Sequence, residues 1–517
     1  MQARNWLTAL LLAALAAAAG PARAYQWVEA ESPHFHVLAR GTRVMLEQRL
    51  QKLEQLHHTM LLSLGVGEGQ VLNRPPFEMV LKDDENVVAS FFPKLRDRAS
   101  GVFILDEGGS LAISTAWLDQ GRRDYTGMVL YHEYAHRVMY QYARIPYPRW
   151  YVEGFAEYFG ATYMDTQAVE LGAALLSAHV LDHERWVEAA QLLKPGKTAA
   201  GKDFDPLDSP TFYAQSWLLT HYMLADSART QRFNDYFRRV AAGEDALAAF
   251  EPAVGIAVDK LNDELRGYRD KMYAARIPNS AFPKVELRVR PLPQAEAEAE
   301  FDRLVVFASP KAEVGKAALE RLRAAVAKAG GDQAPERIRL ALAYAEIRGG
   351  DLARAFEILS FWAQRDDAPF MANLQLGLAW QAEAEHLQGA ERSQALDQAR
   401  AFLVAAYKQR RNDAPTLYQL ARVLLEVKGM SPSVINAADG AASYEPQVGA
   451  YALLAASVNV QAGHRDKALR PLQMLASNPH GGEGAERARA ALQALQSNQD
   501  AAAIVALLSG SKKPTPP

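Results

Sequence analysis

Within YHEYAHRVMY, residues 131 to 140, His132 and His136 stand four positions apart and Glu133 directly follows the first. On an α-helix, positions i and i+4 project from nearly the same face, so the two imidazoles can converge on one metal ion. Glu133 falls at the edge of that face. It is placed to take a proton from a water on the metal rather than to hold the metal, which is the division of labour in H-E-x-x-H zinc hydrolases. Two solvated histidines on a surface helix are the competing reading. The sequel WYVEGFAEYF, residues 150 to 159, favours the metal, because it brings Glu153 after a short connection, Gly154 in the opening turn of a second helix and Glu157 one turn further on. A catalytic zinc ion takes three protein ligands and keeps one position open, and Glu153 completes a recurring His-His-Glu set. Glu157 shares the helix face of Glu153 and can reach the far ring nitrogen of a ligating histidine, fixing its tautomer.

H-E-x-x-H followed by E-G-x-A-E-Y resembles the gluzincin metallopeptidases, and the setting P-R-W-Y-V-E-G-F-A-E-Y-F is most similar to the peptidase MA-like branch of that clan. The resemblance spans roughly residues 25 to 275 and is strongest at 131 to 159. It implies that Glu153 is the third zinc ligand and that Glu157 supports a ligand from behind. Sixteen residues separate His136 from Glu153, a little fewer than in the aminopeptidase members of the clan, which keeps Glu157 as a reserve ligand. The resemblance also implies that Tyr213, heading a helix with the pattern Y-A-Q-S-W, stabilises the oxyanion, although an aromatic residue at a helix start commonly serves packing. It further implies an edge strand that holds substrate by strand addition, with SLAIST (110 to 115) as the candidate and an interior hairpin strand as the alternative. His221 reads as a core or cleft-wall histidine.

Around these residues the pattern predicts an α+β layout, with a small mixed sheet ahead of the metal-binding helix. Residues 25 to 40 alternate as a half-buried strand, with His34 and His36 on one face in a surface or packing role. Apolar residues from Val44 to Leu61 keep helical spacing, with His57 and His58 solvated. PFEMVLK (76–82), DDENVVASFF (83–92), GVFIL (101–105) and SLAISTA (110–116) predict strand, helix, strand and strand, the helix capped by Asp83 or Asp84. Residues 171 to 193 predict one or two amphipathic helices, and a loop rich in Gly, Pro and Asp leads to a helix from 212.

Prolines at 278, 283, 291 and 293 and the alternating KVELRVR mark a linker with short strands over 276–310. Beyond it, Ala, Leu, Gln, Arg and Glu dominate. Pro415, Pro446 and Pro479 close units 31 and 33 residues apart, near the 34-residue tetratricopeptide period, and Pro369, 46 residues before Pro415, implies an insertion near QGAERSQ. Residues 311–508 thus resemble a degenerate tetratricopeptide-like (TPR-like) all-α array. Its concave face would hold a peptide or a partner protein, unless the array only buttresses the first half. SGSKKPTPP, residues 509–517, reads as a disordered tail.

Residues 1–24 carry Arg4, an apolar run and a small-x-small triplet ending at Ala24, the pattern of a secretory signal cleaved after Ala24 and hence of an exported, periplasmic or secreted protein. The chain has no cysteine, which excludes a disulfide framework and a thiolate metal site. Its formal charge of −3 becomes −5 without Arg4 and Arg23, which gives no reason to expect nucleic acid as a partner. No later segment offers the roughly 18 uninterrupted apolar residues of a membrane span. The expectation is an exported zinc metallopeptidase acting on a peptide or protein substrate, with Zn2+ on His132, His136 and Glu153, and Glu133 as general base. A non-catalytic envelope scaffold is the rival, and a zinc amidase acting on cell-wall peptides is a third reading.

Overall fold

A computed structural model describes residues 26–67, 70–115, 125–195 and 208–510, so the signal reading over 1–24 and the tail beyond Gly510 lie outside the described residues. β1 (Gln26–Glu31) and β2 (Phe35–Gly41) form an antiparallel pair. α1 (Arg43–Ser63) follows, with the Thr42 side chain accepting from the Met45 N–H at its first turn. β3 (Phe77–Lys82) lies parallel to β2, and β4 (Gly101–Asp106) and β5 (Gly109–Thr115) make a hairpin whose second strand is parallel to β3. α2 (Tyr125–Tyr142) and α3 (Arg149–Gly160) carry the two motif segments. β6 (Tyr163–Met164), β7 (Ala168–Leu171), α4 (Val180–His183) and α5 (Ala189–Leu193) are short. α6 (Pro210–Leu224), α7 (Ser227–Ala241), α8 (Ala246–Val254) and α9 (Leu261–Arg269) then pack behind α3. β8 (Ala275–Pro278) pairs with β7, and β9 (Arg288–Pro291) pairs with β1. The larger sheet is therefore mixed and six-stranded, in the order β4-β5-β3-β2-β1-β9.

Helices fill the remainder: α10 (Gln294–Ala308), α11 (Glu313–Lys328), α12 (Glu336–Gly349), α13 (Leu352–Ala363), α14 (Phe370–Ala384), α15 (Gly389–Gln409), α16 (Ala414–Lys428), α17 (Pro432–Tyr444), α18 (Gly449–Gln461), α19 (Arg465–Ser477), α20 (Gly482–Gln496) and α21 (Ala501–Ser509). Consecutive helices pack on one another, in places through small residues. Gly377 illustrates the spacing, since a Cβ there would meet the Leu403 side chain at 2.6 Å. Pro415 sits in the first turn of α16, where a missing N–H costs nothing. The extra length near QGAERSQ is taken up by α15, which runs to 21 residues.

Side chains alternate across the sheet, and both faces are covered. Val28, Ala30, Phe35, Val37, Ala39, Met79 and Leu81 pack with α1, α2 and α3. On the opposite face Trp27, Leu38, Val80, Leu111 and Ile113 share a core with Val305, Leu322, Leu342 and their neighbours on α10, α11 and α12. α10 and the first two helices of the array, α11 and α12, thus serve as the second layer of the sheet. The 276–310 stretch contributes β9 to that sheet and α10 to that layer.

Several local expectations are corrected. Residues 83–92 form no α-helix: the Asp84 side chain accepts from the Asn86 N–H, a 3-10 turn spans Val87–Ser90, and Pro93 follows. Residues 171–193 break into a strand end, a 3-10 turn at Leu176–His179 and helices of four and five residues. Gly172, at φ +70°, turns the chain there against the ring of His221. SLAIST is not an edge strand. It lies between β4 and β3, as the hairpin alternative has it, and β4 is the edge. His57 is buried rather than solvated, with its Nδ1 2.8 Å from the Tyr134 hydroxyl. His34 and His36 do not share surroundings. His34 pairs with Glu54 at 2.7 Å and stacks on His57 of α1, whereas His36 meets Glu29 and Glu78 on the face toward α10 and α12.

Candidate metal centre

α3 is buried on nearly every side, and only Arg149 and Glu157 escape full burial. Trp150, Phe155 and Phe159 are fully buried, so packing fixes the rotation of the helix and aims Glu153 inward. Gly154 is what lets α6 lie against it. A Cβ at that position would stand 2.3 Å from the Ser216 carbonyl oxygen and 2.3 Å from Thr220 Oγ1. Gly160 gives α2 similar room, since its Cβ would come 3.3 Å from His132 Cβ. Gly154 thus sets how closely α6 lies against the helix bearing Glu153, and Gly160 how closely the helix bearing His132 does.

His132 Nε2 lies 3.1 Å from His136 Nε2, and the two nitrogens are 3.7 and 3.6 Å from Glu153 Oε2. A fourth group, His480 of the array, places its Nε2 3.2 Å from Glu153 Oε1. His132, His136, Glu153 and His480 offer ligand atoms within 4.8 Å of one another, a group that could hold a metal ion. Nitrogen and oxygen ligands at about 2.0–2.1 Å from a tetrahedral ion are about 3.3 Å apart, and the observed separations cluster around that value. Glu153 is fully buried, and neither of its carboxylate oxygens has a hydrogen-bond partner among the described residues; the same is true of His136 Nδ1. A buried carboxylate without donors costs several kcal/mol unless a cation compensates it, so the donor set fits a divalent ion.

The electrostatics agree. Burial alone would raise the Glu153 carboxyl, but the adjacent imidazoles of His136, His480 and His132 hold it well below the usual carboxylate range. Burial opposes a charge on His132, yet Glu157, Glu153 and Glu133 together raise it to about 9. Glu157 Oε1 stands 3.4 Å from His132 Nδ1, on the side of the ring facing away from the group. Glu133 is half-buried on α2, and its charge is felt by both His132 and His480. Tyr213 occupies the first turn of α6, half-buried and edge-on to Phe212, and is not a member of the four-residue group. His221 is a buried packing residue, 2.8 Å from the Tyr268 hydroxyl and 3.1 Å from the Gly172 carbonyl oxygen.

His480 escapes a reading of the sequence because it is a lone histidine in a turn, N-P-H-G-G, far along the chain from Glu153. The only local signal is that turn itself. The Asn478 side chain accepts from the His480 N–H at 2.9 Å, and Gly482, at φ +50°, opens α20. The array is fastened to α2 one residue beyond His136. Arg137 grips Glu445 with both guanidinium nitrogens, at 2.5 and 2.6 Å, and its guanidinium lies over the Phe77 ring.

Glu29, Glu31 and His36 form a second possible metal group. There Glu29 already accepts from His36 at 2.8 Å and Arg337 at 3.1 Å and pairs with Arg290, so its charge is matched without an ion. Among the described residues, no helix is long and apolar enough to cross a membrane. Comparison of the chain with models of protein families, with curated proteins and with solved structures found no match.

Proposed function

We propose that the chain is an exported zinc-dependent peptide hydrolase of the gluzincin type, with His132, His136 and Glu153 as the zinc ligands. The observation that carries this reading is Glu153, a fully buried carboxylate with no hydrogen-bond partner facing two imidazoles at ligand spacing. Bound zinc would supply Lewis acidity to a water and to a peptide carbonyl. Glu133 would serve as the general base toward a water there and as the proton donor to the leaving amine nitrogen. Glu157 holds His132 by its Nδ1 and keeps Nε2 directed inward. Tyr213 would donate a hydrogen bond from its hydroxyl to the carbonyl oxygen of the substrate as charge develops there. The edge strand β4 offers unpaired backbone groups on which an extended peptide can lie, and the TPR-like array recruits a substrate or partner protein.

Zinc analysis combined with a Glu133→Gln variant tests this. Cleavage of a peptide library falls by about 10²–10⁴-fold while the metal is retained. Metal retained with no cleavage by either form would leave the scaffold reading. One observation favours that rival: with His480 included, the group has four protein side chains, as closed structural zinc sites do.

A further inference from the structure

His480 lies in the array, yet its ring is turned to the centre built by α2 and α3. Besides the 3.2 Å approach of its Nε2 to Glu153 Oε1, its ring packs edge-to-face on His136, with centroids 5.3 Å apart. The ring is about half exposed, and its approach to the centre consists of contacts to two residues of the other half of the molecule. The backbone that presents it is held at both ends, by the Asn478 side chain before it and by the Gly481–Gly482 pair after it, where a Cβ on Gly481 would meet Ala485 Cβ at 2.7 Å. Further fastenings hold the array in register with the centre. They are the Arg137–Glu445 pair, the Arg470 donation to the Ala143 carbonyl at 3.2 Å and the Tyr451 hydroxyl donation to the Glu107 carbonyl at 2.9 Å.

We propose that His480 is a fourth protein ligand that shuts the coordination position a hydrolase needs for water, so that the docked array acts as a latch on the metal centre. This rests on the zinc-hydrolase reading, which assigns three ligands and one open position. A half-exposed imidazole on a glycine-flanked turn is a suitable latch. Withdrawing the turn exchanges one neutral nitrogen donor for a water and leaves His132, His136 and Glu153, all carried by α2 and α3, in place. The array then does more than present substrate, because the site opens only when α19 and α20 shift relative to α2.

The test uses the full-length mature chain loaded with zinc for X-ray absorption and with cobalt for optical titration by acetohydroxamate, a probe that needs an open metal position. The expected absorption fit gives three imidazoles for the wild type and two for His480→Ala. Acetohydroxamate binds His480→Ala about tenfold or more tightly than wild type, because apparent affinity scales with the open fraction. Glu445→Gln, which loosens the array without touching a ligand, moves hydroxamate affinity in the same direction by a smaller factor. It also guards against a folding defect in the first variant, and circular dichroism on both establishes their fold. Two imidazoles in the wild type, or equal hydroxamate affinity in all three proteins, would overturn the latch. Peptide cleavage is read separately. Three imidazoles falling to two, with hydroxamate tightening but no cleavage in any form, would support His480 as the closing ligand while removing the hydrolase reading.

Discussion

Two groups of histidine and carboxylate side chains are buried in this protein, and they are finished in opposite ways. Around Glu29, the His36 imidazole and the guanidinium groups of Arg337 and Arg290 come from β2, α12 and β9, and the charges balance within the chain. Around Glu153 the neighbours are imidazoles whose ring nitrogens converge on the carboxylate, and its oxygens lack hydrogen-bond partners. The first arrangement is a brace that ties the sheet to the array. The second is a donor set that could hold a metal ion. A cluster of ligand-type residues therefore does not by itself mark a candidate metal site; what distinguishes this one is a buried carboxylate whose oxygens have no hydrogen-bond partner among the described residues.

Substitution of the two glutamates breaks the comparison most sharply. Glu153→Gln lowers zinc affinity by roughly a thousandfold in a chelator competition, about a quarter of the free energy of a four-ligand zinc site. Glu29→Gln leaves zinc affinity unchanged. One step out from the metal, Glu157→Gln frees the far side of His132 and costs 10–100-fold in zinc affinity by the same assay, on the order seen for outer partners of zinc-bound histidines. Glu29→Gln shows instead in urea unfolding, where it lowers stability by about 1–3 kcal/mol; its partners Arg290, Arg337 and His36 are partly solvated, so the loss stays below that of a fully buried pair.

The smallest effect is a pH signature of the brace. Burial disfavours a charge on His36, but Glu29 and Glu78 outweigh it and raise the imidazole from 6.5 to about 10. The contribution of His36 is thus fully present below pH 6.5 and lost as pH rises toward 10. Glu29, against its burial, and the half-exposed Glu78 are lowered from 4.5 to about 2 by His36 and by arginine, Arg337 for the first and Arg303 for the second. Their contribution is present above pH 4.5 and lost as pH falls toward 2. The brace is strongest between about pH 4.5 and 6.5, and His36→Gln flattens the fall in stability between pH 6.5 and 10 measured by urea titration. A wild-type profile flat over that interval would show that Glu29 and Glu78 do not hold the charged imidazole.

The parts of the molecule legible in the sequence are those governed by local period. The four-residue spacings of His132 with His136 and of Glu153 with Glu157 are helix-face statements, and α2 and α3 cover both segments. The strand alternation at 35–41 and 77–82 and the helical spacing of 43–63 depend on the same local rules. What stayed hidden depends on distant neighbours. The apolar run after residue 171 has helical composition, but it is bent at Gly172 to seat against His221 and ends as short turns. SLAIST has the same alternation whether it lies at an edge or inside, and only its pairing with β3 decides. Helices α11 and α12 have repeat-like composition, yet their apolar faces are spent on the sheet, alongside α10 from the stretch that reads as a linker, which no period reveals. His480 is the extreme case: one residue in a turn, brought to Glu153 by the stacking of the array.

The central claim is that Glu153, with His132 and His136, is compensated by a divalent metal ion. Elemental analysis of the purified mature chain tests it most directly. One zinc per chain is expected, removed by exhaustive chelation and restored on adding zinc back. A chain that purifies without any divalent metal and takes none up when zinc is supplied would contradict the account.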